Sequence, residues 1–236
     1  MTEPFEHRTM KLIATTLQHK IYSPKVQSVG KPPALILLHG RGADESDLLG
    51  LAEYLDNRLF CISARAPFAF HGGSGYTWYD VLEVGKPEPK MFSQSYRSLV
   101  QFCEDVKNGY GLDPSKIFLM GFSMGTMMAY SIALTLPHTV AGVIANSGYI
   151  PEGTDLAFQW EKLHGISFFV GHGVYDPVIP VAFGKRAKEL LEQAGVEISY
   201  HEYDMGHQIN EESLYDISRW LKSKLDNRMK IQRNEP

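Results

Sequence analysis

Ala34-Leu35-Ile36-Leu37-Leu38 runs five positions without a polar side chain. A strand wetted on one face alternates apolar and polar residues, so an unbroken run has to be covered on both faces. That demand is met by a parallel sheet between two layers of helices. Apolar runs of strand length recur at residues 59–64, 116–120, 140–145 and 166–171, and a further strand is expected at 196–203. Helical spacing is expected at about 45–56, 92–110, from Ser123 to about Leu136, 182–193 and 211–227. Pro137 stops the third of these helices, since a proline cannot continue one. The alternation predicts an α/β protein with a mostly parallel, doubly wound sheet flanked by helices. Residues 10–23 alternate and are expected as an antiparallel edge strand or hairpin. With 236 residues, residues 1–236 are read as a single domain.

The remaining bulk properties narrow the function classes. Apolar residues make up 44%, charged residues 21%, and the formal net charge is −4. No basic stretch would attract nucleic acid or an anionic membrane. No apolar stretch is long enough to span a bilayer. The N-terminal Met1-Thr-Glu-Pro-Phe-Glu-His-Arg8 lacks a leader's basic start and apolar core, so a cytoplasmic protein is expected. Cys61 and Cys103 each fall in an expected regular element, which suits two buried thiols better than a disulfide or a metal site.

The chemistry centres on Gly121-Phe122-Ser123-Met124-Gly125. The segment follows an apolar strand and precedes a helix, the context of a nucleophile elbow. Small residues on either side let strand and helix pass close together, while the serine takes a strained conformation that exposes its hydroxyl. A serine that only caps the helix is the competing reading. Serine needs a base, and His207 follows the last strand, where a loop can carry it over the elbow. His201 lies inside that strand and His164 ends an irregular segment, so both are weaker candidates. Asp176 follows the run at 166–171 and is the expected orienting carboxylate; Asp155 and Asp204 are its rivals. His39-Gly40-Arg41-Gly42 follows the first buried run. The N–H groups of Arg41 and Met124 are the expected donors to an oxyanion. Phe68, Phe70, Tyr76, Trp78 and Tyr79 crowd a loop at 65–90. Trp78 and Tyr79 are expected either to line a substrate pocket or to pack beneath the loop.

Together these segments resemble the phospholipase/carboxylesterase family, which includes acyl-protein thioesterases and small bacterial carboxylesterases. The resemblance runs from about Pro33 to Trp220. It rests on residues 38–44, 47–49, 78–80 and 121–125, on His172-Gly173 with Asp176, and on Gly206-His207. It implies an α/β-hydrolase fold without a large lid domain and a carboxylesterase that uses Ser123, Asp176 and His207. It also implies no cofactor and no metal. The implied partner is a small-molecule ester, with thioesters and lysophospholipids as alternatives; nucleic acid and integral membrane association are not expected, and a homodimer is left open. A non-catalytic binding protein on the same scaffold is the reading from another class. Family members commonly carry Gln after the nucleophile, where this chain has Met124.

Overall fold

All six segments expected as sheet strands from residue 34 onward are strands. The computed structural model describes residues 11–26 and 30–233, so Met10 and the N-terminal octapeptide read for a leader lie outside the described residues. In chain order the strands are β1 (His19–Tyr22), β2 (Ala34–Leu38), β3 (Phe60–Ala64), β4 (Phe68–Ala69), β5 (Tyr76–Thr77), β6 (Val81–Glu83), β7 (Lys86–Pro87), β8 (Ile117–Phe122), β9 (Gly142–Asn146), β10 (Ser167–Gly173) and β11 (Glu197–Tyr203). The helices are α1 (Pro89–Gly109), α2 (Met124–Thr135), α3 (Ala182–Gln193) and α4 (Glu211–Arg233).

Seven strands form one sheet in the order β1-β3-β2-β8-β9-β10-β11. Only β1 runs antiparallel, against β3, and the other neighbours are parallel. This is the mostly parallel, doubly wound sheet of the α/β-hydrolase fold. The period of two along β2 divides the core. Ala34, Ile36 and Leu38 join the side packed by α1, α2 and α3, while Leu35 and Leu37 join the side packed by α4 and residues 48–54. Fully burying one such aliphatic side chain stabilises the fold by roughly 1.5–3 kcal/mol.

Helix α2 is buried at every position. A helix without a polar face has to lie inside, and its serine and threonine hydroxyls are answered by backbone: Ser131 donates to the Met127 carbonyl at 2.8 Å and Thr126 to the Asn146 carbonyl at 2.8 Å, whereas the Tyr130 hydroxyl has no partner among the described residues.

One local expectation changes. The stretch at 45–56 is a 3₁₀ helix over Leu48–Tyr54 with only Leu48 and Ala52 buried in it; Gly50 and the short apolar face favour tight turns over an α-helix. The N-terminal alternating segment supplies the expected antiparallel edge strand, β1, paired with β3. The loop at 65–90 is not structureless. It folds into two small hairpins, β4–β5 and β6–β7. Among the described residues no helix is long and apolar enough to cross a membrane.

Candidate active site

Ser123 stands between β8 and α2 with φ 51° and ψ −119°, a conformation that costs a non-glycine residue about 1–3 kcal/mol. The surroundings hold it there. Its N–H donates to the Asn146 carbonyl at 3.0 Å, and its carbonyl accepts from the Thr126 N–H at 2.9 Å. The flanking glycines are required by close approach. A Cβ on Gly125 would lie 1.9 Å from the Leu38 carbonyl oxygen, and one on Gly121 would lie 2.4 Å from the Thr126 nitrogen. Both obstacles are backbone, so no side-chain rearrangement could relieve them.

Asp176 and His207 arrive from the C-terminal ends of β10 and β11. Gly173 lets the two loops cross, since a Cβ there would meet the Gly206 and Met205 carbonyl oxygens at 2.3 and 2.4 Å. Backbone bonds from Val174 to Tyr203 and from Tyr175 to Met205 then staple the loops together. The Asp176 carboxylate is divided between two tasks. Oδ1 accepts from the Val178 and Ile179 N–H groups, each at 2.8 Å, and Oδ2 accepts from His207 Nδ1 at 2.7 Å. Burial pushes the Asp176 carboxyl up, but the bonds from His207, Ile179 and Val178 together outweigh it and hold the group below the ordinary carboxylate range. A carboxylate on Nδ1 puts the proton on that nitrogen and leaves Nε2 of His207 as the basic one. The imidazole lies beside the Phe122 ring, centroids 4.9 Å apart.

The loop after β2 is tethered by His39, which is fully buried. Nδ1 of His39 donates to the Gly40 carbonyl at 2.7 Å, and Nε2 accepts from the Ala66 N–H at 3.0 Å. This pairing fixes the neutral tautomer, and burial pushes the His39 pKa down. Trp78 Nε1 donates to the His39 carbonyl at 3.0 Å. Among the described residues no protein acceptor takes up the backbone N–H of Arg41 or of Met124. Both residues line one cavity with Ser123 and His207.

That cavity measures about 260 Å³. Its apolar walls come from Val81 and Val84 of the β6–β7 hairpin, Met127 of α2, Tyr149, and Val178 with Ile179 beside Asp176. A second cavity of about 350 Å³ lies near Pro87, Phe92, Tyr96 and Asp155. It contains neither Ser123 nor a histidine, so its larger size does not make it the reactive site.

Residues 20–225 match the model of the family described as phospholipase/carboxylesterase. The chain belongs to that family. Its relatives include proteins named acyl-protein thioesterase 1 from Candida albicans, 28% identical over 80% of this chain and 91% of that one, and from Saccharomyces cerevisiae, 30% identical over 81% and 92%. The crystal structure of the Bacillus cereus carboxylesterase superposes with a TM-score of 0.77 at 27% identity, covering 88% of this chain and 94% of that chain.

For this phospholipase/carboxylesterase member the aromatic loop needs correction. Trp78 and Tyr79 do not line the cavity. They are buried to 0% and 1% exposure beneath the loop, where Trp78 clamps His39 and Tyr79 packs edge-on against Phe92. Large rings next to a glycine-rich loop gain more from the core than from a wet cleft. Phe70 and Tyr76 likewise lie under the Arg41 and Arg65 guanidinium groups. The residues that form the walls, Val81, Met127, Tyr149 and Ile179, were not singled out in the sequence. Their one available signal was position, since each follows or flanks the C-terminal end of a strand. The rival candidates fall elsewhere. His201 stacks between Phe169 and Tyr203, His164 and Asp204 are exposed on turns, and Asp155 borders the second cavity. The Met124 side chain accepts a weak bond from the Thr77 hydroxyl at 3.3 Å, although that hydroxyl also donates to the Tyr79 carbonyl at 2.7 Å.

Proposed function

We propose that this protein is a serine hydrolase that cleaves carboxylic esters through an acyl-enzyme. The observation that carries the reading is the 2.7 Å bond from His207 Nδ1 to Asp176 Oδ2 in a site whose cavity Ser123 lines. Ser123 Oγ attacks the ester carbonyl carbon while its proton passes to His207 Nε2. The N–H groups of Arg41 and Met124 receive the negative oxygen of the tetrahedral intermediate. The bond to the alcohol oxygen then breaks as His207 returns the proton to that oxygen. Water repeats the sequence on the acyl-enzyme, giving its proton to His207, which finally re-protonates Ser123 Oγ. Asp176 holds His207 in the useful tautomer and stabilises the imidazolium.

A thioester is the second reading, supported by the relatives named acyl-protein thioesterase 1. The mechanism is unchanged except that sulfur leaves. Two measurements test the proposal. A fluorophosphonate probe should label the wild-type protein at Ser123 and leave Ser123→Ala unlabelled, with a loss in kcat of about four to six orders of magnitude. A panel of esters, thioesters and lysophospholipids should then rank the leaving groups. Retention of a tenth of the activity by Ser123→Ala would remove Ser123 from the role of nucleophile.

A further inference from the structure

His172 is the last but one residue of β10, and its side chain is completely buried. Its Nε2 donates to the Ile179 carbonyl at 2.8 Å and lies 3.5 Å from Asp176 Oδ2. Because a carbonyl only accepts, the proton must be on Nε2. Among the described residues Nδ1 has no hydrogen-bond partner. It faces Gly184 of α3 so closely that a Cβ there would lie 2.8 Å away. A buried polar atom without a partner is costly and calls for a reason.

We propose that His172 is a positioning residue for the Asp176–His207 pair, acting as a permanently neutral donor that anchors the loop behind Asp176. This rests on the function proposed above. The contacts form a chain: His172 holds the Ile179 carbonyl, the Ile179 and Val178 N–H groups hold Asp176 Oδ1, and Oδ2 is thereby left for His207. The bare Nδ1 completes the arrangement. A proton there would find no acceptor, so the ring stays uncharged where an imidazolium would compete with His207 for the same carboxylate oxygen. The charged and titratable groups around the ring are Asp176 and His207 from the loops, and Glu202 of β11, which pairs with Lys185 of α3. Burial pushes the His172 pKa down, and the Ile179 carbonyl and Asp176 oppose this more weakly. His39 follows β2 directly and is also a buried histidine before a glycine, with the opposite tautomer and both nitrogens partnered, so a buried His-Gly pair tethers each of the two loops that complete the site.

Two variants separate the donor from the bulk it occupies. In His172→Gln the amide nitrogen stands as many bonds from Cα as Nε2 does, whereas His172→Met has similar length and no donor. On a short-chain ester His172→Met should lose about tenfold to a hundredfold in kcat, the scale of a misplaced catalytic group. Its KM should stay within about threefold of wild type. The acid limb of its kcat/KM profile should move to lower pH, because a loosened Asp176 supports the imidazolium less. His172→Gln should recover most of the activity and the profile. Gly184→Ala, which pushes on the ring from behind, should reproduce the loss with the imidazole present and serves if His172→Met does not fold. Nitrogen-15 spectra of the wild-type histidines should show His172 protonated at Nε2 alone from roughly pH 5.5 to 8. A proton on Nδ1 overturns the proposal, as does equal activity of the Met and Gln variants with an unmoved acid limb. If the wild-type protein hydrolyses no ester, the functional reading fails, while the spectra still decide the state of His172.

Discussion

Asp176→Asn exchanges one carboxylate oxygen for an NH₂ group, and the structure dictates which one. The carboxylate currently accepts on both oxygens: two backbone N–H groups at 2.8 Å on Oδ1, and His207 Nδ1 at 2.7 Å on Oδ2. An asparagine has one acceptor oxygen. If it faces Val178 and Ile179, the NH₂ faces His207 and demands a bare Nδ1. The proton then sits on Nε2, and the ring can no longer accept one from Ser123. If the amide flips to restore the useful tautomer, the buried Ile179 N–H and the part-buried Val178 N–H lose their acceptor and face a donor instead. Each unsatisfied donor costs about 1–3 kcal/mol, so the flip costs about 2–6 kcal/mol. At about 1.4 kcal/mol per decade, the competent form is outweighed roughly 30-fold to 10⁴-fold. The expected result is a fall of about two to four orders of magnitude in kcat for p-nitrophenyl butyrate, with circular dichroism unchanged. The reasoning fails if the variant stays within tenfold of wild type. It also fails if Asp155→Asn or Asp204→Asn does the same damage.

Three further outcomes are expected. Gly125→Ala should cost at least about 3 kcal/mol in urea unfolding, because its Cβ would meet backbone at 1.9 Å, while Gly50→Ala, with open space around it, should be neutral or stabilising by up to about 1 kcal/mol; equal midpoints would refute the close-approach argument. Met124→Ala and Met124→Gln should stay within about tenfold of wild type on acetate and butyrate esters, because both keep the backbone N–H, and Thr77 keeps the Tyr79 carbonyl as acceptor; a uniform hundredfold loss would implicate the side chain in the chemistry. Thermal stability should fall as pH drops below about 6.5, since burial lowers the His39 pKa in the folded chain and the unfolded chain then binds the extra proton; His39→Gln should show a shallower fall between pH 7 and 5, and an identical slope would remove His39 from that account.

The inner strands β2, β3, β8, β9 and β10 were legible in the sequence because they are buried almost throughout and carry few polar residues, whereas the edge strands β1 and β11 are mixed in polarity and partly exposed. The Ser123, Asp176 and His207 positions were legible for a related reason. In such a sheet reactive side chains collect at the C-terminal strand ends, and the sequence order of the strands can be read directly. The cavity walls were not legible. Trp78 and Tyr79 carry the strongest composition signal in the 65–90 loop, but ring size argues equally for core and cleft, and here the core wins. Val81 and Tyr149 reach the cavity only because the β6–β7 hairpin bends back, with the Gly85 N–H donating to the Tyr149 hydroxyl at 3.0 Å. That contact spans 64 residues and leaves no periodic trace. His172 was visible as part of a motif, yet its unpartnered nitrogen and its bond to Ile179 belong to tertiary structure alone.

The complete burial of α2 separates what can vary in this protein from what cannot. Ser123, the proposed nucleophile, immediately precedes a helix with no solvent-facing position, so any change in that helix is filtered by folding before it is tested by catalysis. Val84 and Val178, in contrast, border the cavity while remaining 49% and 52% exposed. Substitutions at such sites usually shift stability by no more than about 0.5 kcal/mol. A randomised library over residues 81–87 and 174–175 with 178 should therefore yield mostly folded enzymes with altered acyl-chain preference. The same effort spent on α2 should yield mostly insoluble protein. New substrate ranges are open to this scaffold by exchange of its rim, with the inherited chemistry carried along unchanged.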